Sequence, residues 1–213
     1  MESTTMHMPE IKITYRQCWD DLNTRYRSAV VVVDGKLNFT ETFWYLAHTR
    51  NRSAMVHSLA EHLIETRASY AKRYSFEYQL IKAALLEGFF GLRESLAGLL
   101  NLVFQLGVDL TEKGSTFKVF KQVEERKLPV LAHLKQIIPK KSMLDNYLME
   151  FRHPYVHRED LSNISVQDIT ASFVGVEQPR ILNFIDKSAS ISQKLEEVEK
   201  GIVAECSREL GFM

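Results

Sequence analysis

The stretch Leu85-Leu86-Glu87-Gly88-Phe89-Phe90-Gly91-Leu92-Arg93-Glu94-Ser95-Leu96-Ala97-Gly98-Leu99-Leu100-Asn101-Leu102-Val103 decides the fold. Leu80, Leu85, Phe89, Leu92, Leu96, Leu99, Val103 and Leu106 recur at helical spacing and surround most of this segment with apolar groups. The expected helix opens at Ser75 and stops near Gly107. Glu87, Gly91, Glu94, Gly98, Asn101 and Gln105 alternate three and four apart, so they line one face in a heptad-like row. Such a row lets another backbone come close, faces a polar cleft, or is a solvated seam on an otherwise buried helix. The four polar or charged groups Glu87, Arg93, Glu94 and Asn101 also argue against a membrane span.

Working outward, a long helix is expected from a cap at Asn38 or Thr40 to about Tyr70 or Lys72. Phe43, Leu46, Ala47, Met55, Leu59, Leu63 and Ile64 lie on its apolar face. Before it, Thr14 to Ala29 fits a helix. Ala29 to Val33 reads either as a strand or as a buried helix end, ahead of a turn at Asp34-Gly35. Ser115 opens a helix through about Ile138, bent at Pro129. Ser142 caps a helix from Met143 to Arg152, Asn163 to Asp186 reads as a loop, and Ser188 or Ser190 opens a terminal helix to about Leu210. The expectation is an all-α bundle of five helices with two long antiparallel core helices. Residues 1–37 form an N-terminal segment and 38–213 the helical domain.

Composition sets outer bounds. The 213 residues are 45% apolar and 25% charged, a balance that suits one folded domain. With 27 basic and 27 acidic side chains the net charge is zero, so no global field draws in nucleic acid or an anionic membrane. Any basic surface for RNA must be local. Cys18 and Cys206 stand far apart with no CxxC or Cys/His cluster, which suits free thiols in a reducing compartment. Met1 to Glu10 lacks an apolar core, so no signal peptide is expected and the chain reads as cytoplasmic. No G-x-S-x-G and no phosphate-binding glycine loop is present.

Chemistry concentrates in Phe151-Arg152-His153-Pro154-Tyr155-Val156-His157-Arg158-Glu159-Asp160. In an unbroken helix Arg152 and His157 would be about 140° apart and would not converge. Pro154 is expected to stop or kink the helix at His153 and swing the two toward one cleft. Histidine trades protons near neutral pH, and arginine offers a charged planar fork to phosphate oxygens. Together they can cleave a phosphodiester without metal, His157 handling protons and Arg152 stabilising charge on the phosphorane. The bland reading has both capping a helix and pairing with Glu159 or Asp160.

The segment resembles the active-site motif of the HEPN superfamily: Arg, four to six residues, then His, with Asn, Asp or His directly after the Arg. Arg152, His153 and His157 fill those places, and His157-Arg158-Glu159-Asp160 looks like the His-Arg-acid run of several members. The resemblance covers about Phe39 to Asp160. It implies a homodimeric, metal-independent and cofactor-free endoribonuclease that leaves a 2′,3′-cyclic phosphate. It also implies a role in toxin–antitoxin pairs or antiphage defence, with an antitoxin or other protein as partner. Arg152 and His157 would be catalytic, and His153, Arg158 and Glu94 auxiliary. Glu87 and Asn101 share the row with Glu94 as groups able to orient His157 or hold Arg152. Two alternatives remain: a non-catalytic helical interaction or RNA-binding protein, and a metal hydrolase using His153 and His157 with His48, His57 or His62.

Overall fold

The computed structural model describes residues 11–32, 37–70, 76–140, 142–157 and 178–212. Those residues form eight helices and no strand. They are α1 (Gln17–Val32), α2 (Leu37–Glu65), α3 (Arg67–Tyr70), α4 (Phe76–Val103), α5 (Ser115–Glu125), α6 (Leu131–Leu134), α7 (Met143–His157) and α8 (Gln178–Glu209).

The two long core helices are α2 and α4, and they run antiparallel. Val56 of α2 meets Gly88 of α4, Arg52 meets Gly91 and Tyr45 meets Gly98, so one number falls as the other rises. The same test orients the neighbours. Phe89 meets Tyr147 and Arg93 meets Asp145 across α4 and α7. Tyr147 meets Ser188 and Phe151 meets Phe184 across α7 and α8. Ser53 meets Glu199 and Arg67 meets Asp186 on the side where α8 lies along α2 and α3. Hence α2, α4, α7 and α8 close an antiparallel four-helix ring. Leu46, Leu63, Leu85, Phe89, Leu92, Leu96, Phe184 and Leu195 fill it, all buried. Trp19, Leu22 and Tyr26 of α1 are buried in that same core.

Several expected boundaries move. Residues 29–32 belong to α1, so the valine run through Val32 is a helix end rather than a strand, and Val33 lies outside the described residues. Asn38 and Thr40 lie within the first turn of α2, not ahead of it. The expected 115–138 helix is two pieces, because Lys127 turns left-handed (φ 51) ahead of Pro129. The terminal helix starts at Gln178, ten residues before Ser188. Pro179 sits in its first turn, where a missing N–H costs no helical bond. Ser188 and Ser190 are therefore inside α8, and Ser188 Oγ bonds back to the Phe184 carbonyl at 2.6 Å. Ser142 does cap α7, accepting from the Asp145 N–H at 3.1 Å. The Asp34-Gly35 turn and most of the 163–186 loop lie outside the described residues. Among the described residues no helix is long and apolar enough to cross a membrane.

The helix carrying Arg152 does not stop at His153: α7 continues to His157. Pro154 forfeits one backbone donor without ending the helix. Ahead of that proline, Tyr147 meets Phe89 of α4 edge-on and stacks on Phe184 of α8, and Phe151 meets the Phe184 ring edge-on at 5.2 Å.

Candidate functional site

Arg152 lies where α7 crosses the N-terminal half of α4. Its Nε donates to Glu87 Oε1 at 3.0 Å and its Nη2 to Glu87 Oε2 at 3.4 Å, a two-pronged grip. The guanidinium also stacks over the Phe90 ring, 4.0 Å from its centroid. Of the three candidates on the polar row, Glu87 is the one that meets Arg152. Asn101 instead pins the turn after α4. It donates to the Val108 carbonyl at 2.9 Å and accepts from the Val108 N–H at 3.0 Å. Glu94 is exposed and faces a different cleft. The row thus splits into a grip on Arg152, a polar cleft and a helix stop.

His153 and His157 have their backbones in α7, and the described side chains of that helix end at Arg152. Arg158, Glu159 and Asp160 lie outside the described residues. With α7 unbroken, positions 152 and 157 stand about 140° apart around the axis. The convergence expected from a break at Pro154 is absent from this backbone.

The cleft beside Glu94 was not legible as a unit in the sequence. It has a volume of about 260 Å³ and lies between α2, α4 and the start of α5. Trp44, His48 and Arg52 are four residues apart, so they descend one face of α2. Trp44 stacks on His48 with ring centroids 4.8 Å apart and planes 13° from parallel. Arg52 Nε donates to His48 Nε2 at 2.9 Å, which leaves the imidazole proton on Nδ1. Burial and the adjacent guanidinium pull the His48 pKa below its ordinary value. Opposite, Gly91 and Gly98 form the floor: a Cβ at Gly91 would overlap the Arg52 guanidinium, and one at Gly98 the Tyr45 ring. Small residues on the row therefore make room for side chains rather than for another backbone.

A third polar cluster is shut inside the bundle. His57 Nδ1 is 2.6 Å from Ser192 Oγ and its Nε2 is 3.1 Å from Glu199 Oε2, to which Ser53 also donates at 2.8 Å. The order serine, imidazole, carboxylate resembles a nucleophilic relay. All four side chains are buried and none lines the cleft, so its work is to join α2 to α8. Among the described residues no group of three or more His, Cys, Asp or Glu is placed to hold a metal ion. Cys18 and Cys206 are both free thiols. No family model, no curated protein and no solved structure matches this chain.

Proposed function

We propose that the chain is a metal-independent endoribonuclease of HEPN type, acting as a cytoplasmic homodimer in antiphage defence or a toxin–antitoxin pair. The observation that carries the reading is the grip on Arg152. A guanidinium near the end of α7 is held by two bonds to Glu87 and by the Phe90 face, leaving Nη1 free of both Glu87 bonds. A charge so pre-positioned suits a phosphate whose negative charge grows during reaction. The 2′-hydroxyl loses its proton and attacks the adjacent phosphorus. The 5′-oxygen leaves with a proton, and a 2′,3′-cyclic phosphate results. His157 moves the protons, and His153 and Arg158 assist at the phosphate.

The unbroken α7 adds a condition. Positions 152 and 157 of one protomer lie about 140° apart around α7, so the working pair forms between two copies, Arg152 from one and His157 from the other. Glu94 is left out of this site, and Glu87 takes the supporting place.

Purified protein incubated with mixed RNA in excess chelator tests the reading. Arg152→Ala and His157→Ala should each slow cleavage by roughly 10²-fold or more. Intact RNA with wild-type protein, or equal cleavage by all three, removes the assignment and leaves a binding protein. Cleavage that chelator abolishes points instead to a metal hydrolase.

A further inference from the structure

The cleft between α2, α4 and α5 holds two charged groups of opposite sign, each without an ion-pair partner among the described residues. Arg52 is half-buried, and among the described residues its one side-chain hydrogen bond goes to the uncharged His48 ring. A guanidinium with no carboxylate against it keeps four Nη–H donors for an anion. Its position is fixed: Nε is tied to His48, and the flat group lies over Gly91, the one residue type that leaves room for it. Glu94, one turn further along α4, is exposed with no hydrogen bond or ion pair to the described residues.

The wall of the cleft is aromatic. Trp44 is 55% exposed, although one face of its indole is covered by His48 and its edge meets Tyr45 at 4.8 Å. The stack fixes the ring, and an indole fixed with its other side toward solvent is a platform for a planar group. The start of α5 adds partial positive charge beside the same space. Ser115 and Thr116 line it, and Gly114 ahead of them supplies no side-chain cap. About 260 Å³ is at the small end of ligand sites, enough for one compact unit rather than an extended chain.

Anion receptor, flat platform and carboxylate acceptor in one small cleft describe the parts of a nucleotide. We propose that this cleft binds a single guanine nucleotide unit, with its phosphate on Arg52, its base on Trp44 and the base's N–H edge on Glu94. Guanine is favoured because N1–H and the N2 amino group offer two parallel donors to one carboxylate, whereas uracil offers one. The nucleotide is either free or part of an RNA strand, since the recognised groups are the same. The site uses neither Arg152 nor His157, so it does not rest on the nuclease reading.

Titration of the full chain with GMP, guanosine, UMP and inorganic phosphate tests the proposal, read by tryptophan fluorescence and calorimetry. Trp19 is fully buried, so a change on binding reports Trp44. GMP should bind saturably and quench, with guanosine weaker by about 10-fold or more for loss of the charged contact. Arg52→Gln should bring GMP down to the guanosine level, and Arg52→Lys should keep part of the difference. Glu94→Gln should erase the preference for GMP over UMP. Melting curves confirm that each variant is folded. A G-containing trinucleotide that binds as well as GMP assigns the site to RNA, and one that binds far worse assigns it to the free nucleotide. No saturable signal up to about 1 mM overturns the proposal. So does phosphate binding as tightly as GMP, or GMP binding unchanged in a folded Arg52→Gln. Binding is read without cleavage, so failure here leaves the nuclease reading standing, and an inactive motif leaves this site untouched.

Discussion

His57 Nε2 lies 3.1 Å from Glu199 Oε2, and both side chains are sealed from solvent where α2 meets α8. The Nε2 of His57 thus faces the carboxyl group while its Nδ1 lies 2.6 Å from Ser192 Oγ. Glu199 Oε1 has no hydrogen bond in return among the described residues. Removing His57 leaves Glu199 Oε2 with Ser53 alone and Ser192 Oγ without its ring partner, a loss of about 1–3 kcal/mol. His57→Ala should therefore lower the urea midpoint far more than Arg67→Ala, which breaks an exposed pair with Asp186. Equal shifts for the two variants would show that the buried cluster carries no special weight.

The two thiols give a prediction with a sign. Burial, and then the nearby Glu199 carboxylate, push the Cys18 pKa up to about 11. Burial pushes that of Cys206 up to about 12. In the unfolded chain both return toward 9.0, so the unfolded state releases its protons first as pH rises. Stability is then full below pH 9 and falls between 9 and about 11 to 12. At pH 8 both thiols should react slowly with a disulfide reagent in native protein and fast in urea. Fast native labelling of Cys206 would contradict its place in the core.

Gly91 and Gly98 lie one heptad apart and should answer differently to the same change. A Cβ at Gly98 meets the half-buried Tyr45 ring, a rigid group that can yield only by turning as a whole. Gly98→Ala should cost about 1–3 kcal/mol, read by thermal denaturation. A Cβ at Gly91 meets only the tip of Arg52, a long chain that can swing aside. Gly91→Ala should change stability little while displacing the guanidinium from its cleft.

How much of this was legible in the sequence depends on distance along the chain. The all-α class and the two long helices follow from apolar spacing within single helices, as Leu85, Phe89, Leu92 and Leu96 illustrate, while the antiparallel pairing was an expectation of the resemblance. The polar row was visible too, because Gly91 and Gly98 interrupt an otherwise apolar segment. What it faces was not: assigning Arg152 to Glu87, and Trp44, His48 and Arg52 to Glu94, needs the register of α4 against α7 and α2. Prolines misled in both directions. Pro154 suggested a break in a helix that continues to His157, and Pro179 suggested a loop where α8 begins.

Glu87 should matter to catalysis more than to folding. Its pair with Arg152 is half-exposed, so Glu87→Ala should cost at most about 1 kcal/mol. It also frees the guanidinium to sample other rotamers, which degrades the positioning that transition-state stabilisation needs. RNA cleavage should then fall by about 10-fold or more with the melting curve nearly unchanged. A rise in cleavage would mean instead that Glu87 competes with phosphate for Arg152.

The geometry of α7 makes the sharpest prediction for the nuclease reading. Mixing Arg152→Ala and His157→Ala proteins, unfolding them together and refolding gives homodimers of each kind and mixed dimers. If the working pair forms across two protomers, each mixed dimer holds one complete site, with Arg152 from one chain and His157 from the other. Half the dimers are mixed, so about a quarter of wild-type cleavage should return from two inactive proteins. If the pair forms within one protomer, every site lacks one member and the mixture stays inactive. That result, beside an active wild type, would require the α7 backbone to break at Pro154 when RNA binds.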